Sequence, residues 1–92
     1  MANVKIPPVL RASVGGEREV HADGESVGEV LRNLTDAHPA TQAQIFAGEG
    51  ELNRYVNVYL NDEDVRFLGG LSASVKDGDT VTVLPAVAGG RY

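Results

Sequence analysis

The chain ends in VTVLPAVAGGRY, so two glycines stand almost at the terminus, followed by one basic and one aromatic residue. Gly15-Gly16 and Gly69-Gly70 lie between apolar segments, where turn formation accounts for them. No element follows Gly89-Gly90, and turning does not explain that pair. Glycine without Cβ lets a backbone run extended through a narrow channel and lets its carboxylate be approached closely. Past Val87, three extended residues reach roughly 10 Å. Such a tail suits a carboxylate that is itself the reactive group, presented to another protein's active site. Taken alone, the dipeptide equally fits an end that merely contains glycine.

Other groups capable of chemistry are dispersed. His21 and His38 have no second histidine or acid at ligand spacing, and there are no cysteines, hence no disulfide, thiolate site or nucleophilic thiol. Asp62-Glu63-Asp64 lacks the glycine and spaced carboxylates of a calcium loop and reads as a solvated acidic turn. Ser13, Ser72 and Ser74 have no partner base at a useful spacing, and a hydroxyl without one is a weak nucleophile. No glycine loop ends in Lys-Ser or Lys-Thr. An autonomous active site, a metal site and a bound cofactor are therefore not expected.

Composition narrows the class. Ninety-two residues with 42% hydrophobic content make one globular domain. The net charge of -5 and the scattered distribution of the eight Lys and Arg argue against nucleic acid, which needs a basic patch. With no long apolar run and a strand-like pattern from the start, the expectation is a cytoplasmic protein without signal peptide or membrane contact, monomeric when alone.

The elements that must hold the tail are short. In NVKIPPVLR, Val4 and Ile6 share one face of a strand that Pro7 and Pro8 interrupt, and Gly15-Gly16 predicts a hairpin turn into EREVHA. Ser26 and Glu29 make a capping box before Val27, Val30, Leu31 and Leu34, one helical face that Pro39 ends near His38. A weaker helical stretch, TQAQIFA, precedes a loop at Gly48 to Gly50. RYVNVYLN is a strand with Val56, Val58 and Leu60 on one side and Tyr55, Asn57 and Tyr59 on the other. A short strand is predicted at Val65 to Phe67, a turn at Asp77-Gly78, and a last strand in DTVTVLPAV. This order predicts an α+β fold, a β-grasp with a mixed sheet of about five strands and one main helix across one face.

On the last strand Val81 and Val83 face the core, which turns Thr82 and Leu84 outward on the side of Tyr55 and Tyr59. These residues form either ordinary surface or a partner-docking patch. The docking candidates are Tyr55, Tyr59, Leu84, Pro85 and Val87.

RYVNVYLNDEDVRFLGG and DGDTVTVLPAVAGG, within that strand order, resemble the ubiquitin-like sulfur carriers of thiamine and molybdopterin synthesis, and most closely the CysO-type carriers of cysteine biosynthesis. The resemblance spans essentially the whole chain. It implies a carrier domain over residues 1–87 and a flexible tail over 88–92 in which Ala88, Gly89 and Gly90 lead to the reactive carboxylate of Gly90. It further implies adenylation of Gly90 by an E1-like enzyme using ATP and magnesium, conversion to a thiocarboxylate, and sulfide donation to an acceptor on a separate synthase. Arg91 and Tyr92 depart from the pattern, because they lock the Gly90 carboxylate in a peptide bond. A metallopeptidase cutting between Gly90 and Arg91 would expose it. Two alternatives remain at this point: a ubiquitin-like interaction module that never bears sulfur, and a small subunit of a molybdopterin-synthase-like complex.

Overall fold

A computed structural model describes residues 1–47, 51–53 and 56–85. Strands β1 (Ala2–Lys5) and β2 (Glu19–Ala22) pair antiparallel, helix α1 (Val27–Ala37) follows, and the one-turn helix α2 (Gln42–Ile45) leads toward β3 (Val56–Leu60), β4 (Glu63–Asp64) and β5 (Thr80–Pro85). The sheet order is β2-β1-β5-β3-β4, with β5 parallel to β1 and antiparallel to β3. This is the predicted β-grasp: the first and last strands lie side by side in the middle, and α1 crosses one face.

α1 forms where its local signals are strongest. The Ser26 hydroxyl accepts the Glu29 N–H at 3.2 Å, satisfying a donor the helix cannot satisfy itself. The other half of the box differs from the prediction, since the Glu29 carboxylate accepts the N–H of Glu25, one residue earlier than the cap. Val27, Val30 and Leu31 are 0% exposed and Leu34 1%, and they pack in one core with Val4, Val58, Val81 and Val83. Gly24, at φ +156°, brings the incoming chain so close that a Cβ there would sit 2.6 Å from the Val30 nitrogen. Only glycine fits that approach. The helix stops at His38, whose N–H reaches the Leu34 carbonyl before Pro39.

Two connections differ from expectation. Between β1 and β2, Pro8–Val14 forms a 3-10 helix that buries Leu10 and Val14, so Gly15 and Gly16, at φ +71° and +83°, close that helix and do not make a two-residue hairpin. Pro7 and Pro8 start it because proline's fixed φ suits a first helical turn. The predicted strand at Val65–Phe67 is also a 3-10 turn, capped by the Asp64 carboxylate accepting the Arg66 N–H at 2.9 Å. The short strand lies just before it, at Glu63–Asp64.

Candidate functional site

β5 carries the chain from the middle of the sheet to the tail, and its two faces have different duties. Val81 and Val83 are 0% exposed on the α1 side, whereas Leu84, on the outer face, is 41% exposed. Register places Thr82 between Lys5 of β1 and Tyr59 of β3; Lys5 in turn stands opposite Glu19, and Tyr59 opposite Asp64. The outer face therefore carries one continuous row across all five strands: Glu19, Lys5, Thr82, Tyr59, Asp64. Leu84 lies opposite Asn57, diagonal to Tyr59, within reach of an aromatic ring on the same face.

The docking candidates thus divide. Leu84 and Tyr59 share the outer face, as the alternation predicts. Pro85 stands opposite Val56, and both line a second groove of ≈ 270 Å³ that includes Val9, Leu10 and Ala43. Tyr55, Val87 and the whole tail, Ala88, Gly89, Gly90, Arg91 and Tyr92, lie outside the described residues.

At the β4 edge the face is charged. Arg66 Nη2 lies 2.7 Å from Asp64 Oδ2, and its Nε is 3.2 Å from both carboxylate oxygens. These hydrogen bonds from the Arg66 guanidinium, with one from its backbone N–H, hold the Asp64 carboxyl below the usual carboxylate range. Toward the base of β5, the Lys76 N–H and the Asn61 side chain likewise hold the Asp79 carboxyl low.

On the β1 side of Leu84 the surface sinks into a groove of ≈ 320 Å³. Lys5, Arg11 and Arg18 line it over a floor that includes Pro7, Pro8 and Leu84. Sequence reasoning missed this cluster, since the Lys and Arg look scattered along the chain. They gather because the 3-10 helix at Pro8–Val14 folds residues 5, 11 and 18 to the same end of the sheet. No local pattern marks it: Arg11 stands three residues after Pro8, and its Nε donates to the Ile6 carbonyl at 3.1 Å.

The remaining chemical candidates stay apart. His21 is exposed on β2, 3.9 Å from Glu19, and His38 ends α1. Ser13 accepts a hydrogen bond from Gln44, and Ser74 sits in an isolated bridge with Ser26. Among the described residues no three His, Asp or Glu side chains form a group that could hold a metal, and no helix is long and apolar enough to cross a membrane.

The architecture is a five-stranded mixed sheet with α1 across one face, and similar proteins share that fold. The sulfur carrier protein CysO of Mycobacterium tuberculosis is 46% identical over 89 residues, covering 95% of this chain and 96% of the relative. The crystal structure of the Amycolatopsis orientalis BexX/CysO complex contains a chain that matches with a TM-score of 0.87 and 51% identity, over 98% of this chain and 100% of that one. The small archaeal modifier protein 1 of Methanosarcina acetivorans matches at 0.85 and 36% identity, over 97% and 95%. The fold is thus the ubiquitin-like β-grasp, and with the family model matching residues 4–90, from the first strand through the second terminal glycine, the chain belongs to the ThiS family.

Proposed function

We propose that this protein is a CysO-like sulfur carrier, a co-substrate without an active site of its own, and that Gly90 is its reactive position. The observation that carries the reading is the family match extending through Gly90, on a chain that resembles named sulfur carriers over nearly its full length. In this reading a metallopeptidase first removes Arg91 and Tyr92. An oxygen of the freed Gly90 carboxylate then attacks the α-phosphorus of ATP on an E1-like partner, which supplies the magnesium site, and pyrophosphate leaves. The resulting acyl adenylate is a mixed anhydride; a sulfur nucleophile displaces AMP and leaves a thiocarboxylate. A synthase accepts the sulfide, for cysteine or another sulfur metabolite, and water restores the carboxylate. The protein works in the cytoplasm, where these partners and ATP are found.

Leu84 and Tyr59 serve as docking contacts on the strand pair next to the tail, with Tyr55, Pro85 and Val87 as further contacts along the exit. The glycines keep the tail slim enough for a partner's channel. Gly89→Val in chain 1–90 should slow adenylation, because a β-branched side chain restricts the backbone and widens the tail; unchanged kinetics would count against the channel.

The deciding measurement is intact mass. Chain 1–90, incubated with its activating enzyme, ATP and a sulfur donor, should gain about 16 Da as sulfur replaces oxygen at Gly90. The full-length chain should not, since the amide at Gly90 has no carboxylate oxygen to attack phosphorus. Adenylation of the full chain with Arg91 and Tyr92 still attached would refute the assignment. Similarity to a small archaeal modifier favours a second reading, in which the Gly90 carboxylate is joined to another protein; a covalent adduct in place of the sulfur mass would select it.

A further inference from the structure

The groove beside Leu84 is unlike the rest of the surface. The chain has 13 acidic and 8 basic residues, yet Lys5, Arg11 and Arg18 converge on this one depression, with Glu19 the single acid among its lining residues. No carboxylate among the described residues lies within ion-pairing distance of any of the three, whereas Arg66, in the 3-10 turn after β4, is neutralised by Asp64. Arg11 is also held in place, its Nε committed to the Ile6 carbonyl, which leaves the other guanidinium nitrogens available. The accessible floor is apolar, from Pro7, Pro8 and Leu84, with the buried Ile6 and Val83 beneath it.

We propose that this groove receives an acidic segment of the protein partner, an extended stretch in which carboxylates flank an apolar side chain. Charge complementarity argues for the carboxylates, since three unpaired cations on a protein of net charge -5 are a local field against the global one. The apolar floor argues for a peptide. A phosphate would find the three cations but no backbone N–H donors at prolines 7 and 8, and it would leave the apolar floor uncovered, which an apolar side chain of a peptide fills. Leu84 joins the groove to the outer face, so a partner docked on Leu84 also reaches the groove. The inference rests on the carrier reading only for the identity of that partner as the protein that receives the tail.

The test titrates the ¹⁵N-labelled full chain with a synthetic acetylated peptide of alternating aspartate and leucine, at low and at physiological salt. Amide shifts should concentrate at residues 5, 6, 9–11, 18 and 82–84 and weaken as salt rises. Arg18→Glu combined with Lys5→Glu should weaken binding by roughly tenfold, two exposed charge contacts being lost and reversed. The same variant should bind the matching lysine-leucine peptide at the same amides, a charge swap that a merely structural role for these residues would not produce. Neither substitution touches a hydrogen bond of the fold, so the variant should keep the parent spectrum elsewhere.

Absence of binding, shifts centred away from the groove, insensitivity to the double substitution, or tighter binding of AMP or inorganic phosphate at the same amides would each overturn the proposal. The thiocarboxylate assay separates the two readings. Sulfur transfer at Gly90 without peptide binding removes the groove alone, and groove binding without sulfur transfer removes the carrier alone.

Discussion

The two faces of the sheet teach different lessons although β5 contributes to both. On the α1 side Val4, Val81 and Val83 are fully buried in one apolar cluster with Val27, Val30 and Leu31. On the other side the same strands present Lys5, Thr82 and Leu84 among charged neighbours. Apolar burial is worth about 1.5–3 kcal/mol per large side chain, whereas exposed charges contribute about 0–1 kcal/mol to folding. The helix face therefore holds the fold together, and the outer face is free to serve recognition. Substitutions should separate along that line.

The largest effect belongs to the helix face. Leu31→Ala leaves a cavity beneath the sheet and should destabilise by about 2–5 kcal/mol. For a domain of this size, where 1 kcal/mol corresponds to roughly 4–8 °C, the melting temperature should fall by well over 8 °C. Thermal unfolding followed by circular dichroism reads it directly, and a shift of a degree or two would mean that α1 is not the main anchor.

Leu84→Asp sharpens the contrast from the other side. The side chain is already 41% exposed and lies off the α1-facing core, so folding should change by less than about 0.5 kcal/mol. Binding to the E1-like partner should weaken by about 2 kcal/mol or more, as loss of a central apolar anchor does. A variant that unfolds, or one that binds as well as the parent by calorimetry, would end the division between the faces at β5. Chain 1–90 and the full chain, by comparison, should melt within about 2 °C of each other, because residues at a chain terminus generally contribute little to stability.

How far the sequence foretold this architecture depends on how local each signal is. α1 was legible because its cap and its apolar face, Ser26 with Val27, Val30, Leu31 and Leu34, lie within nine residues. The alternation in β3 and β5 likewise assigned Tyr59 and Leu84 to one face. The β1–β2 connection was misread, because Gly15-Gly16 carries the same positive-φ signature at the end of a 3-10 helix as in a hairpin turn. The turn at Val65–Phe67 was misread for a related reason: three apolar-polar-apolar residues look like strand until the Asp64 side chain captures the Arg66 N–H. The basic groove was invisible, since its cations lie six and seven positions apart and no period of a helix or strand brings them together. Tertiary folding of the misread segment creates the feature that composition had seemed to exclude.

The smallest expected effect tests whether the outer face contributes to stability at all. Arg66 lowers the proton affinity of Asp64 in the folded chain, so the folded state binds fewer protons there than the unfolded state. The contribution of this pair is then fully present above the unfolded carboxylate value, about pH 4, and disappears as acid protonates Asp64 through its lower folded value. Arg66 keeps its charge throughout. Asp64→Asn should therefore cost only about 0.2–1 kcal/mol at neutral pH, with part of that loss reflecting the weaker cap on the Arg66 N–H. The difference between parent and variant should shrink on titration from pH 6 toward pH 2, and 0.5 M salt at neutral pH should reduce it as well. Asp79, held by the Lys76 N–H on a separate turn, leaves an acid-sensitive component in both proteins and serves as the internal reference. Urea unfolding midpoints across that range give the comparison. A difference that stays constant with pH would show that neither the Arg66 ion pair nor the cap on the Arg66 N–H favours the ionised carboxylate, leaving all pH-dependent stability of this region to the turn that holds Asp79.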